Sequence, residues 1–576
     1  MEIIAPVAAR ISHLPVDVGA PVGPSDTVVI LEVMKMEQLV LAGVSGIVSS
    51  LDVNVGDAVG QGDRLATITA GEGSVEVKPD DSTDLSSLRE VDERHRLGLD
   101  EARPDAVAKR HKGGKRTARE NVSDLTTEFV EYGPLAVAAQ RGRRDLEDLI
   151  RRTPADGMVG GIGRIDTGTE GDDRAVVVSY DYTVLAGTQG MQNHRKKDRL
   201  FTLASETGLP VVLFAEGGGG RPGDVDWPGA SILDVPAFRL FAEIPGPTVG
   251  INTGFCFAGN AALLGQCDVV VATKGSNLGM GGPAMIEGGG LGVFEAADVG
   301  PASIQARNGV IDVLVEDDSE AVSVARNLIG MSRGAISPGP ATDQESLRSI
   351  VPANRRRLYD MRQVITSLVD ADSFLELRRD FASAAITGLA RVGGNPLGVI
   401  ANDPSYLAGA IDNDAAITLS NHMRLCSRWG IPILSLCDTP GFMVGPEAEA
   451  EGLVRSAGTL FRVAAEISVP VGVIVTRRGY GLGAQAMAAG GFHEPRFTIA
   501  WPNSEFGPMG LEGAVKLGFS KELEAIEDPA DREAEIERRV EEMYQIGSGL
   551  NVASHFEIDD IIDPTDSRRW ILTALF

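Results

Sequence analysis

The chain has 576 residues and a mass of 60.7 kDa, well beyond what one small core requires, so several domains are expected. Hydrophobic residues make up 43% and charged residues 23%, and no apolar run approaches the roughly 18 residues of a membrane helix, which excludes a membrane-spanning class. A formal net charge of -28 with a pI near 4.7 has the wrong sign for tracking a phosphate backbone, so nucleic acid is excluded as a partner.

The opening Met1-Glu2-Ile3-Ile4-Ala5-Pro6 lacks the basic and then apolar stretch of an export signal. Cys256, Cys267, Cys426 and Cys437 match neither a disulfide framework nor paired CxxC zinc spacing. A cytoplasmic location and no metal site are expected.

Residues 1 to 72 are short apolar runs split by Gly, Pro and Asp, which predicts a compact all-β module. A shift of 37 residues superposes Ile11 on Val48, Val18-Gly19 on Val55-Gly56 and Val22 on Val59, so the module is duplicated internally. Midway lies Glu32-Val33-Met34-Lys35-Met36-Glu37, where a hairpin tip would expose Lys35 to a modifying enzyme. The alternative is a solvated lysine on a turn. Residues 73 to 100 read as a flexible linker, turning charged and helix-compatible toward their end.

From residue 101 onward, apolar β runs alternate with helical segments, an α/β pattern. Leu209 to Phe214 followed by Gly217 to Gly220 has a counterpart in Ile431 to Leu436 followed by Asp438-Thr439-Pro440-Gly441-Phe442, at an offset of 222. The run from Pro247 to Gly259 likewise parallels Pro470 to Gly483. Two similar lobes follow, 101 to 338 and 339 to 576, with a break in the Pro/Gly stretch Ser337-Pro338-Gly339-Pro340.

Four consecutive glycines offer backbone N–H groups unobstructed by side chains, as stabilisation of an enolate oxygen requires. Tight packing of strand against helix explains any single glycine equally well. A second cluster, Tyr480-Gly481-Leu482-Gly483-Ala484, follows an apolar strand and would open a helix, adding its dipole to exposed donors. The basic run His194-Arg195-Lys196-Lys197, with Arg199, could hold phosphates, the alternative being a solvated helix face. His422 and His493 lie in no triad pattern, and Cys267 and Cys437 read as buried small hydrophobes.

Across residues 1 to 72 the module resembles the biotinyl carrier domain of biotin-dependent carboxylases, with Ala8-Ala9 where that family usually has Pro-Gly. From about Gly113 to the C-terminus the chain resembles the carboxyltransferase subunit of acyl-CoA carboxylases, the group containing propionyl-CoA and methylcrotonyl-CoA β subunits. The motifs are Gly113-Gly114-Lys115-Arg116-Thr117-Ala118-Arg119-Glu120, Leu278-Gly279-Met280-Gly281-Gly282-Pro283, Asp438-Thr439-Pro440-Gly441-Phe442, and Ala500-Trp501-Pro502 with Met509-Gly510-Leu511-Glu512-Gly513-Ala514.

The resemblance implies a biotinyl/lipoyl-like barrel sandwich followed by two crotonase-like (ClpP/crotonase) lobes, the first binding CoA and the second biotin, with the active site at a subunit interface of a dimer or hexamer. It implies biotin on Lys35 flanked by Met34 and Met36, attached by a biotin protein ligase. Gly218 and Gly219 match one pair of oxyanion amides and Leu482 and Gly483 the other, with leucine where a glycine is usual. Arg195 and Lys196 would bind CoA phosphate, and Gln485 occupies a position that sets acyl selectivity, where aspartate or isoleucine is usual. The implied reaction moves a carboxyl group from carboxybiotin to the α-carbon of a short or medium acyl-CoA through a thioester enolate, without a side-chain base. No ATP-binding domain is recognisable, so a separate biotin carboxylase subunit using ATP, bicarbonate and Mg is the implied partner. Alternatives are a biotin-dependent decarboxylase component, a non-catalytic carrier or scaffold, and an enoyl-CoA hydratase-like enzyme.

Overall fold

The computed structural model describes residues 1–71, 85–221, 223–226 and 234–576, and the chain divides into two compact units, Met1–Val91 and Asp92–Phe576. The first unit is two four-stranded antiparallel sheets. One runs in the order Glu2–Ile4, Arg64–Ala70, Gly46–Leu51, Pro21–Val22, and the other Met36–Leu41, Thr27–Val33, Ala9–His13, Ala58–Val59. Their inward residues, among them Ile11, Val28, Leu31, Val48, Leu65 and Ile68, form one core. The duplication is visible atom by atom. Gly19 (φ 93°) donates its N–H to the Val48 carbonyl at 2.8 Å, and Gly56 (φ 96°) donates to the Ile11 carbonyl at 2.9 Å. Each half thus closes its turn on the strand of the other, and glycine is required because both turns need a left-handed backbone.

The stretch from 73 to 100 is expected to be a linker that turns charged and helix-compatible toward its end. Residues 72 to 84 lie outside the described residues, and Ser86–Arg96 is a helix with no buried side chain.

The second unit holds two sheets. The first has seven strands in the order Val313–Val315, Val269–Thr273, Thr248–Asn252, Val211–Phe214, Arg174–Tyr180, Met158–Arg164, Glu128–Glu131, parallel except for the last two. The second follows Leu375–Leu377, Ala385–Val392, Asn395–Asn402, Ile433–Thr439, Val471–Tyr480, Phe497–Ala500, Asp560–Ile561, with Glu505–Gly507 also paired to Val471–Tyr480. Val211–Phe214 and Ile433–Thr439 are buried along their whole length, as expected of parallel strands covered on both faces.

The offset of 222 organises both halves. Leu185–Gly187 and Leu407–Gly409 are the same Leu-Ala-Gly turn, with every residue at positive φ: 49°, 54° and 62° in the first and 47°, 53° and 81° in the second. A Cβ on Gly187 would lie 2.6 Å from the Glu216 carbonyl oxygen, and one on Gly409 would lie 2.3 Å from that of Asp438. Residues 337 to 340 fall between the helix Asp318–Arg333 and the second sheet, but packing is continuous across them. Val177, Val212 and Val271 of the first sheet share a core with Leu389, Ile433 and Val473 of the second, and Trp429 Nε1 donates to Asp268 Oδ2 at 3.1 Å.

Gly409→Ala should lower unfolding free energy by about 3 kcal/mol, because left-handed strain is compounded by a backbone clash. Gly430→Ala, at φ 69° with open space around the added methyl, should cost only about 1 kcal/mol. Denaturant unfolding of the two variants checks the contrast.

Candidate active site and carrier lysine

In the first unit, Thr27–Val33 pairs with Met36–Leu41 in a register that sets Val33 opposite Met36, leaving Met34 and Lys35 as a two-residue turn. Both have positive φ, 50° and 68°, the backbone of a type I′ turn normally occupied by Asn-Gly. The alternation of Thr27–Val33 sends Val29 and Leu31 into the core, while Met34 is 96% exposed. Lys35 is exposed, and no ion pair or hydrogen bond of its amine occurs among the described residues. An amine presented in this way fits covalent acylation.

In the second unit a buried acid ends the central strand of each half. Glu216, two residues after Val211–Phe214, is held by both terminal nitrogens of Arg110, one at 2.8 Å. Its counterpart Asp438 accepts from Arg477 Nε at 3.1 Å, Arg478 Nε at 2.6 Å and the Tyr359 hydroxyl at 2.8 Å. Asp438 stands in the motif read from the sequence, but its ion-pair role, Glu216 and the Leu-Ala-Gly turns packed on both acids are absent from that reading. The turns do carry a sequence signal: Leu-Ala-Gly recurs at 185–187 and 407–409, at the same offset of 222.

The glycine run is pinned between the first turn and the helix Gly259–Leu264. Gly217 could carry no side chain, since its Cβ would lie 2.2 Å from the Gly187 carbonyl oxygen. The Gly218 N–H donates to the Ala186 carbonyl at 3.0 Å, and the Gly219 N–H donates to Asn260 Oδ1 at 3.1 Å. The amides read from the sequence as open oxyanion donors are therefore already paired. The Gly220 N–H, on an exposed residue, has no partner among the described residues. The start of Gly259–Leu264 has no side-chain cap.

In the second half, Val471–Tyr480 turns at Gly481 (φ 58°) directly into the helix Gly481–Met487, whose start has no side-chain cap. The first-turn N–H groups of Leu482 and Gly483 have no intrahelical acceptor. A Cβ on Gly483 would lie 2.7 Å from Gly441 Cα, so glycine permits the Asp438-to-Phe442 loop to cross the helix start. The Leu482 side chain is 62% exposed. Gln485, one turn on, lines a cavity of about 440 Å³ with Phe492, Phe506, Met543, Ile546 and Val552.

The basic run is split by its helix, Met191–Thr207. Arg195 and Arg199 are exposed, but Lys196 and Lys197 lie on the inward face with Asn193, Leu200 and Phe201. Lys196 Nζ donates to the Ala155 and Met158 carbonyls at 3.1 and 2.5 Å, and burial pulls its pKa down to about 8. The expectation that Lys196 faces solvent and a phosphate is corrected: helical periodicity turns it toward the sheet. His422 is buried, which lowers its pKa to about 4 and leaves it neutral. Burial likewise raises the thiols of Cys256, Cys267, Cys426 and Cys437, so none is an activated nucleophile. No cluster of metal-ligating side chains occurs among the described residues, and no described helix is long and apolar enough to cross a membrane.

The family model for the carboxyl transferase domain matches residues 109–575, and that for biotin-requiring enzymes matches residues 2–68. The chain belongs to the carboxyl transferase family. It is 31% identical over 488 residues to the methylmalonyl-CoA carboxyltransferase 12S subunit of Propionibacterium freudenreichii subsp. shermanii, covering 81% of this chain and 90% of that one. It is 30% identical to the propionyl-CoA carboxylase beta chain of Saccharopolyspora erythraea, covering 86% and 94%. Among solved structures, a single-chain, multi-domain long-chain acyl-CoA carboxylase superposes with a TM-score of 0.81 at 48% identity over all of this chain, which spans 58% of that longer one. The transcarboxylase 12S hexamer with methylmalonyl-CoA bound superposes with a TM-score of 0.74 at 28% identity, covering 87% of this chain and 96% of that one. This family member is thus a β-rich biotinyl-type domain followed by an α/β carboxyltransferase, the carboxyltransferase and biotin carrier portion of an acyl-CoA carboxylase.

Asp438→Asn would leave Arg477 and Arg478 without their shared carboxylate. A loss of roughly 3–5 kcal/mol in unfolding free energy is expected, with the transition monitored by circular dichroism.

Proposed function

We propose that Lys35 carries biotin and that the two halves of the second unit act as two crotonase-like lobes, completing a carboxyl transfer onto the α-carbon of an acyl-CoA. The observation that carries this reading is one chain joining an exposed, unpaired lysine on a left-handed hairpin turn to two halves with the same strand, acid, turn and uncapped-helix architecture. Biotin, when bound, supplies a ureido nitrogen that carries the carboxyl group. The chain's own part is positional and electrostatic. The first-turn amides of Leu482 and Gly483 present donors to one developing oxyanion, while Gly218 and Gly219 frame the Gly220 N–H that faces the other. Donors fixed before the reaction need no reorganisation as charge develops, and each is worth about 10²–10³ in rate. No side-chain base is called for.

Of the basic run, Arg195 is left to meet a CoA phosphate, its guanidinium held among the described residues by Gln192 alone, at 3.2 Å. Gln485 lines a cavity of mixed character, in which Phe492, Phe506, Met543 and Ile546 stand beside Asn551, His555 and Glu557, and a long acyl chain as its occupant is a reading supported by the 48% identity to a long-chain acyl-CoA carboxylase. A separate biotin carboxylase subunit, using ATP, bicarbonate and Mg, would charge the carrier, and a biotin protein ligase would modify it. Assembly into a dimer or larger oligomer is supported by the hexameric 12S relative.

Co-expression with a biotin ligase, followed by intact mass and peptide mapping, should place one biotinyl group on Lys35. Lys35→Arg should remain unmodified and lose essentially all transfer when supplied with an added biotin carboxylase. An unmodified wild-type Lys35, or full transfer by the variant, would remove the basis of this function. A panel of acyl-CoA thioesters of increasing length should give rising kcat/KM into the long-chain range.

A further inference from the structure

Lys197 is fully buried on the inward face of Met191–Thr207, yet no carboxylate lies within ion-pair distance of its amine among the described residues. Nζ donates instead to Gln189 Oε1 at 2.8 Å. Gln189 Nε2 donates to Asn260 Oδ1 at 3.2 Å, the same oxygen that accepts the Gly219 N–H at 3.1 Å, while Asn260 Nδ2 donates to the Gly187 carbonyl at 3.3 Å. The Gln189 backbone brackets the run as well: its N–H donates to the Gly219 carbonyl at 2.7 Å, and its carbonyl accepts from the Arg221 N–H at 2.9 Å. A peptide unit is planar and trans, so fixing the Gly219 carbonyl also fixes the direction of the Gly220 N–H, which is the open donor.

The second half is an internal control. At the offset of 222, Ile411 stands for Gln189 and Leu419 for Lys197, and at 223 Gly483 stands for Asn260. The backbone pairing survives there, with the Ile411 N–H donating to the Gly441 carbonyl at 3.0 Å, and Leu419 is fully buried. The fold is therefore built without the polar chain, and a lysine buried at this position needs a reason other than packing.

We propose that Lys197 is a positioning residue for carboxyl transfer, aiming the Gly220 amide by way of Gln189 and Asn260. The proposal rests on the reading that the glycine run faces a reacting oxygen. The groups facing Lys197 are Asp198 and His194 on its own helix, Asp156 and Arg221 from flanking turns, and the Tyr180 ring, 5.5 Å away on the adjacent strand. Burial dominates and pulls the amine down to about 7. The neutral amine gives one of its two N–H groups to Gln189, whereas the ammonium carries three N–H donors and meets the same one hydrogen-bond acceptor among the described residues.

The test compares wild type, Lys197→Leu and Gln189→Glu in carboxyl transfer with excess biotin carboxylase, reading kcat and KM as ratios to wild type from about pH 6 to pH 9. Lys197→Leu copies the second half and should fold. Wild-type kcat should rise near pH 7, and in Lys197→Leu kcat should fall about ten- to a hundred-fold with KM for acyl-CoA little changed and that rise absent. In Gln189→Glu a carboxylate beside the amine should move that rise to higher pH.

Stability gives an independent reading. The folded amine titrates below its ordinary 10.5, so between about pH 7 and 10.5 the unfolded chain binds the extra proton and wild type gains stability as pH rises. The advantage of Lys197→Leu should accordingly shrink across that window. An unchanged kcat and pH profile in Lys197→Leu, or a stability gap constant with pH, overturns the proposal. Absence of transfer by biotinylated wild type overturns the functional reading instead, leaving the stability test in force.

Discussion

In each half of the second unit a carboxylate stands at the end of a buried strand, where an uncompensated charge would cost several kcal/mol. Arg110 neutralises Glu216, and Arg477 with Arg478 neutralises Asp438. Once these pairs are in place, the backbone at the same positions can be approached closely. The Leu-Ala-Gly turns pack directly on the Glu216 and Asp438 carbonyls, and the glycine run and the Asp438-to-Phe442 loop follow from these positions. The candidate donors sit at the edges of this construction, so the ion pairs are upstream of the chemistry without touching it.

The two halves use one backbone plan with different side chains. Gly218 donates to the Ala186 carbonyl, whereas its counterpart Pro440 has no N–H and the Ala408 carbonyl takes Arg478 instead. The first half fills the space between turn and helix with Lys197, Gln189 and Asn260, and the second fills it with Leu419, Ile411 and Gly483. Buried polar chains gain in strength when every member is satisfied, and they fix one arrangement of the groups they touch. An apolar filling gives comparable packing with less directional control.

The carrier unit solves a different problem. Its reciprocal Gly19 and Gly56 contacts interlock the two sheets, so a small core suffices to hold a rigid hairpin. The left-handed turn at Met34 and Lys35 is strained for residues with side chains, by roughly 1–2 kcal/mol each, and that strain is sustained by the paired strands on either side. Its effect is to project Lys35 away from the sheets that carry it.

The β module, its duplication, the exposed lysine, the α/β repeat and the glycine clusters were all legible in the residues themselves, because periodicity, glycine placement and repetition are local properties of a chain. The family resemblance rested on the same motifs. Other features depended on folding. Which face of Met191–Thr207 turns inward was decided by the sheet it packs on, which took Lys196 and Lys197 out of solvent and left Arg195 outside. Whether Gly218 and Gly219 keep free amides was decided by Ala186 and Asn260, residues 32 and 41 positions away, and hydrogen bonds across such separations exist only once the strands have assembled. The ion pairs of Glu216 and Asp438 span 106 and about 40 residues. Sequence alone thus determined which groups could act, and the tertiary structure decided which of them remain available, because burial and long-range pairing are properties of the packed chain.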